Sequence, residues 1–133
     1  VVAHYFNYNN DFGSIDSWRY ENQQLRMGFP FFDNKEAYYS NSPLLNADKV
    51  TVPLLTWTGK LDENIRPEQS EAFYAALRRL KKENVMLVYS SDGHVLFNPK
   101  NQKDLTLKVK DWFGHYLKDE PKKEWMKADF ETN

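Results

Sequence analysis

The sequence contains no cysteine. That excludes a disulfide scaffold, cysteine-ligated zinc and a thiol nucleophile, and it leaves the redox compartment open. No charge of one sign dominates: 18 Lys and Arg stand against 19 Asp and Glu, a net charge of −1. The chain therefore carries no electrostatic footprint for nucleic acid or an anionic membrane surface. No apolar run approaches the roughly 20 residues of a membrane helix. The longest clusters are short, such as Val85-Met86-Leu87-Val88-Tyr89. Internal repeats, low-complexity segments and a basic, signal-like leader are also missing from the sequence.

What is present suits a folded domain. Of 133 residues, 41% are hydrophobic and 28% charged, ordinary for a globular chain and too apolar for global disorder. Val1-Val2-Ala3-His4-Tyr5-Phe6 reads as a short buried strand, and its abrupt start leads us to expect a piece of something longer. Residues 14–27 have poor periodicity, with Trp18, Leu25 and Met27 available to pack. Asp33 is expected to cap a short helix over 34–41 with Ala37 and Tyr38 inward, and Ser42-Pro43 to start a second turn through Ala47.

The pattern then sharpens. Residues 52–58 form a near-continuous apolar run, which fits a strand covered on both faces of a parallel sheet. Pro67 suits a helix first turn, and Phe73, Ala76, Leu77 and Leu80 follow at helical spacing. Glu68 and Glu71 lie early and Arg78, Arg79, Lys81 and Lys82 late, a complement to the helix dipole. Residues 85–89 predict a second buried strand. A last helix after Asn98-Pro99 presents Leu105, Val109, Trp112, Phe113, Tyr116 and Leu117. The tail, 119–133, reads as a surface extension, and His115 as solvent-facing. Strands alternating with helices imply an α/β fold with parallel strands.

Ligands of open α/β sheets sit beyond the carboxyl ends of strands. Two loops fall there, 58–64 and 90–94. Adjacent strands would bring Asp62 and His94 together, and a carboxylate beside an imidazole orients one tautomer and stabilises the imidazolium. On bland grounds, Asp62 is a turn residue and His94 a solvated one. Three histidines far apart make a weak case for a metal.

The ordered series changes that weighting. Ser42-Pro43, then Ala47-Asp48-Lys49-Val50, Val52-Pro53-Leu54-Leu55, Gly59-x-x-Asp62-x-x-Ile65, Pro67-x-Gln69-Ser70-x-x-Phe73-Tyr74-x-Ala76-Leu77 and Asp92-Gly93-His94 resembles the prolyl oligopeptidase family of serine peptidases. The match is closest over 42–118, and Gln24-Leu25-Arg26-Met27-Gly28 resembles the stretch before it. The resemblance implies the C-terminal half of an α/β-hydrolase fold across 1–133. It implies Asp62 and His94 as catalytic members of a Ser-Asp-His triad, and Asn64 as a substrate-binding residue. Thr58 stands where members often carry His. The family's Gly-x-Ser-x-Gly nucleophile turn does not occur in this sequence, and Gly13-Ser14 lacks its strand–helix context. The nucleophile and oxyanion donors are therefore expected N-terminal to Val1, leaving these 133 residues inactive alone. Peptides are the implied substrate; no metal or organic cofactor is implied. An esterase on the same fold and a non-catalytic interaction module remain alternatives. An unpaired first strand would expose a sheet edge, so self-association is expected.

Overall fold

Three aromatic residues of the first 50 positions are buried together. The computed structural model describes residues 18–23 and 25–127, and the chain divides into two compact units, 1–50 and 51–133. In the first, Tyr20, Phe31 and Tyr38 form a small core with Met27 against it. Tyr20 belongs to α1 (Trp18–Glu21) and Tyr38 to α2 (Lys35–Ser40). Phe31 meets Tyr38 edge to face at 5.4 Å. The Tyr38 hydroxyl donates to the Phe29 carbonyl at 2.8 Å, which lets a tyrosine be fully buried without a stranded polar atom. Asn34, rather than Asp33, caps α2: its side-chain oxygen accepts from the Ala37 N–H at 3.2 Å. Asp33 is occupied in the preceding turn, where its own N–H donates to the Pro30 carbonyl. Leu25, a candidate for packing, is exposed. A 3₁₀ segment, Pro43–Lys49, follows.

The second unit is built on two parallel strands, β1 (Leu54–Gly59) and β2 (Asn84–Tyr89), in register from Leu54 opposite Asn84 to Gly59 opposite Tyr89. The ladder starts after Pro53, which has no N–H to give; Leu54 donates to the Glu83 carbonyl at 3.1 Å. α3 (Pro67–Arg79) connects the strands and packs on both. Leu77 is its fully buried residue, and Phe73 and Ala76 are half-buried. Leu80, expected in the same stripe, falls outside the helix and is exposed. The chain turns there because Lys81 adopts a left-handed φ of 55°. The N–H groups of Lys81 and Lys82 then close on the carbonyls of Arg78 and Leu77, both at 2.9 Å, a Schellman termination.

α4 (Pro99–Lys118) starts where Asn98 accepts from the Lys100 N–H at 3.0 Å. Trp112 is buried against Val85 and Met126, with Leu55, Leu87, Tyr116 and Trp125 around them. Phe113 and Leu117 are exposed instead of inward. They lie about 100° round the helix from Trp112 and Tyr116, off the face that meets the sheet. The tail also departs from expectation. Asp119 takes a left-handed conformation after α4, and the returning chain brings Met126 into the core with no exposed surface. Lys122 Nζ reaches Glu83 Oε1 at 2.6 Å. His115 is half-buried, its Nδ1 2.7 Å from the Glu120 carbonyl.

The fold of the described residues is thus α/β, with parallel strands alternating with helices. The strands are not covered on both faces throughout: Trp57 and Val88 are 39% and 46% exposed. The strand expected at 1–6, with its exposed edge and His4, Tyr5 and Phe6, lies outside the described residues, as do Gly13 and Ser14. Among the described residues, no helix is long and apolar enough to cross a membrane.

Candidate functional site

Two turns leave the sheet side by side. Beyond Gly59 the chain enters the Asp62 loop, and beyond Tyr89 it enters the His94 loop. Their backbones touch: the Leu61 N–H donates to the Asp92 carbonyl at 3.0 Å. A Cβ on Gly59 would land on the carbonyl oxygens of Gly93 and Asp92, so close approach of the two loops requires glycine there. A Cβ on Gly93 would stand 3.1 Å from the Leu61 carbonyl oxygen.

This approach puts Asp62 and His94 in contact. Asp62 Oδ2 lies 3.0 Å from His94 Nδ1. The other carboxylate oxygen, Oδ1, accepts from the N–H groups of Asn64 at 2.9 Å and Ile65 at 2.8 Å. Asp62 is thereby fixed on both oxygens, and its side chain is only 9% exposed, against 52% for His94. An ionised carboxylate only accepts hydrogen bonds, so a neutral His94 carries its proton on Nδ1 and leaves the Nε2 lone pair available. Nε2 makes no hydrogen bond to a described residue. Chemically, a carboxylate that fixes the Nδ1–H tautomer leaves Nε2 in the form a general base requires.

The His94 ring stands between two open hollows. One, of about 320 Å³, is lined by Trp57, Thr58, Gly59, Asp62, Ile65 and Ser70 along with His94. The other, about 330 Å³, is more apolar, with Trp57, Val95, Leu96 and Leu105 among its walls. Asn64 is exposed at the loop, and its backbone amide supports Asp62. Among the described residues no group of three His, Asp or Glu side chains could hold a metal ion.

Asp92 belongs to the same site, and sequence reasoning gave it no role. It is 3% exposed. The Asn101 side-chain amide and the Asn98 and Phe97 backbone amides hold its carboxyl below the usual range, against the opposing effect of burial. No local signal marks it, because its donors lie five, six and nine residues further along the chain. Behind it, the Tyr89 hydroxyl donates to Asp104 Oδ2 at 2.9 Å, and Lys108 pairs with the same oxygen at 2.7 Å. The Lys108 ammonium, with the Tyr89 hydroxyl, holds the Asp104 carboxyl low against burial.

Known proteins match the chain over most of its length. The profile of the prolyl oligopeptidase family matches residues 1–120. Dipeptidyl peptidase family member 6 of Caenorhabditis elegans is 32% identical over 69 residues, 52% of this chain and 9% of that protein. The uncharacterized peptidase YuxL of Bacillus subtilis (strain 168) is 28% identical over 89 residues, 65% of this chain and 14% of the relative. Acylamino-acid-releasing enzyme 1 of rice (Oryza sativa subsp. japonica) is 24% identical over 89 residues, 67% of this chain and 12% of the relative. The matched stretches thus span about a tenth of the length of these curated relatives.

Proposed function

The chain belongs to the prolyl oligopeptidase family, and from that premise we propose that it is the C-terminal half of an α/β-hydrolase domain that hydrolyses oligopeptides. In this reading it supplies the acid and base of a Ser-Asp-His triad, and a serine outside these 133 residues supplies the nucleophile. The observation that carries the proposal is the 3.0 Å contact between Asp62 Oδ2 and His94 Nδ1. The missing Gly-x-Ser-x-Gly turn and the small share of each relative that the chain matches support an external serine.

The chemistry follows from the atoms. His94 Nε2 takes the proton of the serine hydroxyl as its oxygen bonds to the scissile carbonyl carbon. The imidazolium so formed is stabilised by Asp62, which stays ionised. Nε2 then gives the proton to the leaving amine as the C–N bond breaks, and repeats the exchange with water to release the acid. Oxyanion donors come from the same external part as the serine. Asn64, exposed beside Asp62, binds the substrate backbone. The 133 residues alone are inactive.

The test is the intact mass of the native gene product with and without a fluorophosphonate probe. One adduct on a serine preceding Val1, abolished by His94→Ala, is the expected result. A native product of this size that takes no label would make the chain a non-catalytic module on the same scaffold.

A further inference from the structure

Asp92 lies two residues before His94, is nearly inaccessible, and has no part in the proton transfers above. Its carboxylate nevertheless gathers donors from across the loop. Oδ1 accepts from the Phe97 N–H at 2.7 Å and the Asn98 N–H at 3.0 Å. Oδ2 accepts from Asn101 Nδ2 at 2.5 Å. One side chain therefore fastens the start of the loop to its end and to the first turn of α4. Residues 93–96, His94 among them, are held in a closed bend. The same residue's carbonyl fastens the bend to the Asp62 loop through the Leu61 N–H. A second clasp, Gln102 Nε2 to the Leu96 carbonyl at 2.6 Å, holds the far side.

The His94 ring itself has little else to fix it. It is half exposed, and its hydrogen bond among the described residues is the one to Asp62. Where a ring is not wedged by packing, its position is set by the backbone that carries it, and catalytic geometry tolerates little error. We infer that Asp92 is the positioning residue of the pair: by closing the 93–96 bend it holds His94 Nδ1 against Asp62 Oδ2. The inference rests on the reading of that pair as catalytic, but its geometry can be tested separately.

Three variants test it. Asp92→Asn keeps an oxygen for the two backbone amides and turns an NH₂ group against the Asn101 NH₂. Asn101→Asp sets two carboxylates against each other. The double exchange, Asp92→Asn with Asn101→Asp, restores a donor facing an acceptor. Two readouts apply: the ¹⁵N signals of the His94 ring, which report the proton on Nδ1, and the rate of fluorophosphonate labelling of the native gene product. Each single variant is expected to lose the fixed Nδ1–H signature and to slow labelling roughly 10- to 100-fold. The double exchange is expected to recover most of both. Single variants that leave both readouts unchanged overturn the inference, as does a double exchange that folds and recovers neither. If Asp92→Asn does not fold, Asn101→Ala carries the test, because it removes one donor and spares the backbone bonds. A native product that takes no label, while the His94 signal still follows the exchange, overturns the peptidase reading and upholds the placement of His94 by Asp92.

Discussion

The N–H of Leu61 donates to the carbonyl of Asp92 at 3.0 Å, and this one backbone bond joins the Asp62 loop to the His94 loop. Everything that brings Asp62 to His94 depends on two main chains lying closer than side chains permit. Parallel pairing supplies the coarse part, by carrying β1 and β2 to the same edge in register from Leu54 and Asn84 to Gly59 and Tyr89. Glycine supplies the fine part.

Gly59→Ala is therefore expected to separate the loops. Its Cβ meets backbone oxygens on Asp92 and Gly93, which cannot swing aside as a side chain can. The expected loss is about 1–3 kcal/mol of stability, read as a lower urea midpoint, together with loss of the His94 Nδ1–H signal. Gly93→Ala, whose nearest neighbour stands at 3.1 Å, is expected to lose less. Equal losses for the two would contradict the close-approach argument.

Much of this was legible in the residues, for identifiable reasons. The strands and α3 declare themselves because β-branched and aromatic runs of six alternate with a 3.6-residue stripe, and short-range rules suffice for such elements. The pairing of Asp62 with His94 followed from strand adjacency. Asp92 was opaque because its three donors lie five, six and nine residues away, and only the folded loop gathers them. The return of the tail to the core is hidden for a similar reason. Residues 119–127 are mostly charged, and nothing local says that the chain reverses at Asp119 and returns Met126 to Val85 and Trp112. The exposure of Phe113 and Leu117 depends on which face of α4 meets the sheet, which helical spacing alone does not say.

Met126 gives that correction a number. Its side chain has no exposed surface and packs in the core between β2 and α4. Met126→Ala is expected to destabilise the chain by about 2–5 kcal/mol, measured by urea unfolding followed through tryptophan emission. A surface tail would give a change within roughly 0.5 kcal/mol.

Lys81 offers a gain instead. It holds φ at 55° to close the Schellman turn after α3, a conformation in which its Cβ crowds the following carbonyl. Lys81→Gly is expected to raise stability by roughly 0.5–1 kcal/mol, the relief of that crowding less the entropy glycine adds to the unfolded chain. A fall in the thermal midpoint would show that the Lys81 side chain contributes more than its backbone strain removes.

Glu83 ties the tail to the sheet, and its pH dependence has two sides. Burial raises its pKa, but hydrogen bonds from Lys122 and Tyr116 outweigh that and leave it lowered. Burial and Glu83 push the Tyr116 phenol up. A lowered carboxyl stabilises above its unfolded value, near 4.3, and a raised phenol below its own, near 10. The stability difference between wild type and Glu83→Gln should be level between those limits. It should shrink as pH falls below about 4 and again as it rises beyond about 10. Urea midpoints across the range decide this, and a difference that ignores pH would remove Glu83 from the account.

Asp62→Asn separates the orienting role of the acid from its place in the fold. An asparagine can keep the Oδ1 bonds from the Asn64 and Ile65 amides, so the loop is expected to stand and the unfolding midpoint to move little. What changes is the partner offered to His94. The NH₂ group in place of Oδ2 donates, so Nδ1 must accept, and the proton moves to Nε2, occupying the lone pair that the proposed proton transfer uses. On the peptidase reading, labelling of the native product by the fluorophosphonate falls by about 10³- to 10⁴-fold, and the His94 ring signals report the exchanged tautomer. A variant that exchanges the tautomer yet labels at the wild-type rate would show that the pair, however well placed, does not activate the serine.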